Sequence, residues 1–265
     1  LNPDATIAPD DWLHWTRNGQ NWNGMCAECH STNLQRNFDP ETGAFDTTWS
    51  EIDVSCEACH GPGSRHVAWA EVDPMGREAI DNYGLEVVSS GLDNREYVEM
   101  CAPCHSRRAE IADYDHSQSG LLQEHVPSLL VEGLYHPDGQ ILDEVYVWGS
   151  FVQSKMYHAG VTCSDCHEPH SSALKVPGNA VCLQCHQAEK YDVPSHHFHK
   201  DEASGGSCAE CHMPPRNYMV VDPRHDHSMR VPRPDLSVKL GTPNACNNCH
   251  RDKTPRWAAE QAVAW

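Results

Sequence analysis

The octapeptide Cys163-Ser-Asp-Cys-His-Glu-Pro-His170 sets the pattern for the rest of the chain. Two cysteines three positions apart, with histidine directly after the second, are the attachment signature of c-type haem: a thioether to each cysteine and the histidine on the iron. The pattern occurs seven times: Cys26, Cys29 and His30; Cys56, Cys59 and His60; Cys101, Cys104 and His105; Cys163, Cys166 and His167; Cys182, Cys185 and His186; Cys208, Cys211 and His212; Cys246, Cys249 and His250. Seven motifs use fourteen cysteines, and the chain has fourteen. That closed count argues against zinc, whose knuckles pair two half-sites per metal and do not require histidine at this one offset. The cofactor expectation is seven haem c.

Composition sets the fold class. The chain has 265 residues, 39% hydrophobic, with four Phe, 18 Pro and 17 Gly. So little periodic apolar sequence cannot bury enough side-chain surface to offset conformational entropy, whereas seven flat apolar cofactors can serve as the core. The expected fold is mostly irregular, with short α-helices, one small β-hairpin and a haem-stacked core. It reads as one heptahaem domain over residues 1–265, or as two haem-binding lobes, 1–160 and 161–265. Residues 254–265 read as the start of a truncated helix, with Pro255 in its first turn.

A formal net charge of -19 excludes nucleic acid and anionic membrane surfaces as partners. No run approaches the roughly 20 apolar residues of a membrane span. The chain opens at Leu1 rather than Met, as a trimmed protein would. Covalent haem attachment occurs outside the cytoplasm, so the expected location is periplasmic or extracellular.

Nineteen histidines less the seven in motifs leave twelve, enough to give every iron a second imidazole. His14 sits among Trp12, Trp15 and Trp22. His66 follows the turn Gly61-Pro-Gly63 and opens an apolar, helix-like run. His136 precedes an Asp138-Gly139 turn, after which the alternation from Gln140 to Trp148 predicts the hairpin. His158 stands five residues before Cys163. His116 and His125, in more polar surroundings, are weaker candidates. His170 cannot share an iron with His167 three residues away, so it is expected to reach a neighbouring haem. His196, His197 and His199 crowd one segment: His196 and His199 are preferred, although an extended backbone would pair His197 with His199. His227 is preferred over His225. Arg107 and Arg108, just past His105, suit haem propionates. The fourth and fifth motifs, 19 residues apart, must hold neighbouring haems.

The segments WNGMCAECHSTNL, SEIDVSCEACHGPGSRHVAWA, LYHPDGQILDEVYVWGSFVQSKMYHAGVTCSDCHEPHS and DHSMRVPRPDLSVKLGTPNACNNCH resemble a family of exported bacterial multihaem cytochromes c. That family is related to the tetrahaem carriers of ammonia oxidation, and many members carry tetratricopeptide repeats after the last haem. The resemblance implies electron transfer and places distal ligands at His14, His66, His136, His158, His170 and His227. Members usually carry a further haem motif ahead of the segment that starts here.

The function expected is long-range electron transfer through mainly bis-histidine haems, with redox-partner proteins as donor and acceptor. Self-association head to tail into an extracellular conductive filament is its assembled form. The competing class is an oxidoreductase that reduces a small nitrogen or sulfur oxyanion at one five-coordinate haem. No catalytic residue is identified, because all seven motifs are ordinary.

Overall fold

A cysteine, a second cysteine three residues on and a histidine at the fourth share one face of a helical turn. The motifs accordingly form short helices in the computed structural model, which describes residues 7–11, 14, 16, 17, 20–113, 120–201, 205–218 and 222–265. Helices span Cys56–His60, Asn94–His105, Cys163–Cys166, Ala180–Leu183, Cys208–His212 and Ala245–Cys249, and a π-helical turn Trp22–Cys26 leads into the first motif. The histidine N–H closes onto the carbonyl of the first cysteine at 3.1 Å for His30, 3.0 Å for His186 and 2.9 Å for His250.

Such short helices need capping, and the local sequence supplies it. Asp93 and Glu96 form a reciprocal capping box ahead of the third motif. The Asp165 carboxylate accepts the Thr162 N–H at 2.7 Å. Asn244 Oδ1 accepts the Asn247 N–H at 3.1 Å. The helix Pro255–Ala264 starts with proline and is capped by Thr254.

Residues Leu1–Pro127 and Ser128–Trp265 form two compact units. The first contains antiparallel ladders Ser31–Thr32 with Glu51–Ile52, Phe38–Asp39 with Ala44–Phe45, and Arg108–Glu110 with His125–Pro127. The second contains His167–Glu168 with Ala173–Leu174, and Pro215–Tyr218 with Asp222–His225. The expectation of a single hairpin at Gln140–Trp148 is corrected by this arrangement. A turn does close at His136, whose carbonyl accepts the Gly139 N–H at 2.8 Å, but the isolated bridge Tyr135–Ile141 follows it in place of a ladder. Tyr146, at φ 58°, ends the extended run, and Trp148–Phe151 is helical. His66 lies inside the helix Ser64–Ala70 rather than at its start.

The apolar core is small. In the second unit it centres on Tyr135, Ile141, Val145 and Tyr218, with Leu134 against it. Leu122, Leu129 and Met75 are 70%, 77% and 97% exposed. This polypeptide presents the apolar surface that several large flat groups would cover. Among the described residues, no helix is long and apolar enough to cross a membrane.

Candidate haem-binding sites

None of the fourteen cysteines is in a disulfide, and each is at least partly accessible, as thioether attachment requires. The second cysteines bring motifs together. In the first unit Cys29 Sγ lies 3.9 Å from the Cys104 carbonyl, joining motifs one and three. In the second unit burial, then the charges of Asp165 and Cys185, push the Cys166 thiol up, and burial, then Cys246, does so for Cys211. Motifs four and five are thus neighbours, as are six and seven, whose helices pack directly.

Among the described residues, three motif histidines are seen to face an imidazole from outside the motifs. His167 and His227 have ring centres 6.3 Å apart, His212 and His196 6.1 Å, and His250 and His199 6.1 Å, with interplanar angles of 26°, 12° and 28°. Two metal–imidazole bonds of about 2.0 Å, plus about 1.1 Å from each ring centre to its coordinating nitrogen, total about 6.2 Å. The spacing therefore fits one iron between each pair.

Tautomers sharpen the assignment, because a backbone carbonyl can only accept. Nδ1–H donates to the Arg230 carbonyl at 2.9 Å in His212, to the His225 carbonyl at 2.9 Å in His227 and to the His197 carbonyl at 2.5 Å in His199. His66 does the same to the Tyr83 carbonyl at 2.8 Å. Each leaves the Nε2 lone pair for a metal, the usual outer support of a ligating imidazole. His197 is opposite. Its ring stands 6.4 Å from that of His199, but its Nδ1 accepts the His199 N–H at 3.1 Å, which places the proton of the neutral ring on Nε2. Burial pushes His167 and His227 below the usual imidazole range; burial and then His212 do so for His196, and burial and then Arg216 for His136. Neutral imidazole is the metal-binding form.

The remaining sequence candidates stand apart from these pairs. His136 Nε2 is buried without a hydrogen-bond partner and lines a cavity of about 420 Å³. His14 Nδ1 accepts the Thr16 N–H at 3.4 Å. His158 is exposed beside Tyr157. His170 is 80% exposed, its Nδ1 3.0 Å from Glu168 Oε1. His116, with Trp12 and Trp15, lies outside the described residues; Trp22 packs edge-on against Trp49.

Sequence reasoning missed three features. His125, ranked low, is 1% exposed and donates from Nε2 to Glu28 Oε1 at 2.6 Å, within a buried cluster of Arg36, Arg108, Glu110 and Asp113. Arg108 pairs there with Glu28 at 3.0 Å and Glu110 at 3.3 Å. His225, passed over, is oriented by the Met213 carbonyl at 2.6 Å. Tyr191 stands edge-on to both His186 (5.5 Å) and His196 (5.3 Å); its place midway between those histidines was the available signal.

A family model described as a doubled CXXCH motif matches residues 156–191, the fourth and fifth motifs. The chain is similar to the multiheme cytochrome MtrA of Shewanella baltica (strain OS185), 23% identical over 235 residues, or 86% of this chain and 52% of MtrA. Among solved structures, the outer cell wall cytochrome OcwA superposes with a TM-score of 0.63 at 20% identity, over 92% of this chain and 63% of that one. An undecaheme cytochrome from the S-layer of Carboxydothermus ferrireducens reaches a TM-score of 0.41 at 18% identity, over 92% of this chain and 46% of that one, and carries no argument. The chain spans about half the length of the curated relative it matches. Its fold, mostly coil with short helices and small antiparallel ladders, is that of a multihaem cytochrome, and the motifs with these likenesses support haem c attachment.

Proposed function

We propose that the chain transfers electrons along seven covalently attached haems, most of them ligated by two histidines. The observation that carries this reading is the facing of motif and non-motif imidazoles at 6.1 to 6.3 Å in three places. Haem iron, when bound, supplies a one-electron ferric/ferrous couple. The fourteen cysteines would hold the macrocycles, and His30, His60, His105, His167, His186, His212 and His250 would each ligate one iron. His227, His196 and His199 would supply the second imidazole in three sites. The distal ligands of the other four are proposed to come from among His14, His66, His136, His158 and His170. An iron with two imidazoles has no position for substrate, which favours transfer without bond-making.

At about 38 residues per haem (265/7), neighbouring haems must lie near contact. The approach of Cys29 to Cys104, Cys166 to Cys185 and Cys211 to Cys246 supports such adjacency. Donor and acceptor are redox-partner proteins in the periplasm or outside the cell. Kinship to the tetrahaem carriers of ammonia oxidation, and repeats beyond Trp265, belong to this proposal, as does head-to-tail assembly into an extracellular filament. Imaging that found only isolated monomers, every iron ligated within one chain, would remove the filament.

Electron paramagnetic resonance of the oxidised, haem-loaded protein tests the reading. Low-spin ferric signals from every haem are expected. A high-spin signal from one haem, lost on adding nitrite, would instead favour an oxidoreductase acting on a small oxyanion.

A further inference from the structure

The cavity of about 420 Å³ beside His136 holds polar groups whose engagements can be followed one by one. The turn around His136 is rigid: its N–H donates to the Gln140 carbonyl at 2.8 Å, and Gln140 Nε2 ties Asp138 Oδ2 at 2.7 Å to the Pro243 carbonyl at 2.8 Å. Two buried polar atoms of the lining, His136 Nε2 and Tyr218 Oη, have no hydrogen-bond partner. Tyr218 is 9% exposed and sits in the apolar core cluster. A buried hydroxyl left unpaired is destabilising, which makes it a strong donor to any acceptor that enters.

The charged groups separate cleanly. Arg224 is engaged by Glu144 at 3.0 Å and Asp222 at 2.6 Å. Asp226 accepts the N–H groups of Ile141 at 3.1 Å and Ser228 at 2.9 Å. Arg216 has one weak bond, from Nη1 to the Ile141 carbonyl at 3.3 Å, and keeps further guanidinium donors. The site thus offers an unpaired phenol O–H and a guanidinium fork, the donor set for a carboxylate or other oxyanion. It also offers an imidazole lone pair.

We infer that Tyr218 and Arg216 form an anion site in this cavity, and that its occupant is a propionate of the haem whose iron His136 ligates. The inference rests on the proposed function. A free small oxyanion has the same acceptor chemistry, so the test separates the two sources.

The haem-loaded full chain is compared with Tyr218→Phe, which keeps the ring and hence the core, and Arg216→Gln. Haem content is read by pyridine haemochrome assay, individual haems by redox titration followed by paramagnetic resonance, and oxyanion binding by adding nitrite. Both variants should keep seven haems. In Arg216→Gln the reduced-to-oxidised ratio of one haem, at its original midpoint, should fall by less than the roughly tenfold that a unit charge produces at about 10 Å in a protein interior, because the exposed guanidinium is screened by solvent. Tyr218→Phe should shift the same haem in the same direction by less, and nitrite should leave all three spectra unchanged. Titrations of both variants superimposing on the parent would overturn the anion site. A nitrite response in the parent, lost in both variants, would overturn the propionate and make the site one for a free oxyanion. Failure of the parent to carry covalent haem would instead sink the proposed function on which the inference stands.

Discussion

The crowded segment His196-His-Phe-His199 offers the sharpest prediction, because three imidazoles within four positions are assigned three different fates. His196 is paired with His212 and His199 with His250, both at 6.1 Å, whereas His197 is held with its Nε2 protonated. Replacing His196 or His199 by alanine removes one iron ligand of seven sites, about 14% of the ferric iron. His197 could substitute for His199 only by exchanging its tautomer, against a backbone hydrogen bond worth about 1 kcal/mol, a factor of roughly five. Up to about 14% of the iron should therefore become high-spin in either variant, with the His199→Ala fraction reduced only by what His197 captures against that cost. His197→Ala should leave every haem low-spin. Spin quantitation by electron paramagnetic resonance reads these fractions, and added imidazole should restore the low-spin signal. A high-spin signal in His197→Ala, or none in His199→Ala, would refute the tautomer argument.

Gly84 is at φ +79°, and a Cβ there would meet the Arg65 carbonyl at 3.2 Å and Ile80 Cδ1 at 2.8 Å. Gly84→Ala should cost roughly 1–3 kcal/mol, seen as a lowered urea midpoint with haem content unchanged; an unaltered midpoint would contradict the strain. Burial, the hydrogen bond with Glu28 and that carboxylate's charge push Glu110 up to about 8. Burial also raises Glu28, but the bonds with His125 and Glu110 and the charge of Arg108 outweigh it and hold Glu28 at about 2. The Glu110 contribution to stability is thus complete below pH 4.5 and lost as pH rises through 8, while that of Glu28 is present above pH 4.5 and lost as pH falls through 2. Urea midpoints should fall between pH 5 and 9 in the parent but not in Glu110→Gln; equal slopes would refute the shared proton. Tyr191→Leu removes two edge contacts with imidazoles, each worth about 0.5–1.5 kcal/mol. The low-spin signals of two haems should broaden in Tyr191→Leu and stay sharp in Tyr191→Phe, and unchanged signals in both would argue against the contact.

The motifs and their local form were legible because covalent chemistry dictates the spacing and the caps lie beside it, as Thr162 and Asp165 do around Cys163. Coil with short helices followed from the scarcity of apolar sequence. The ladders were not legible: His125–Pro127 pairs with Arg108–Glu110 across the fourteen residues 111–124, and no local pattern announces that register. The hairpin reading failed at Tyr146, because alternation cannot reveal a left-handed residue. His125 was ranked low since its partner Glu28 lies 97 positions away, inside a haem motif. The choice among His196, His197 and His199 turned on which nitrogen carries the proton, and backbone hydrogen bonds decide that.

The central claim is a row of haems, most of them clasped by two imidazoles, and a high-resolution density map of the haem-loaded chain tests it most directly. The account predicts seven thioether-linked haems, with His167 and His227, His212 and His196, and His250 and His199 on opposite faces of three irons. Fewer haems, or any of those three irons bound to a different residue or open on its distal face, would contradict it.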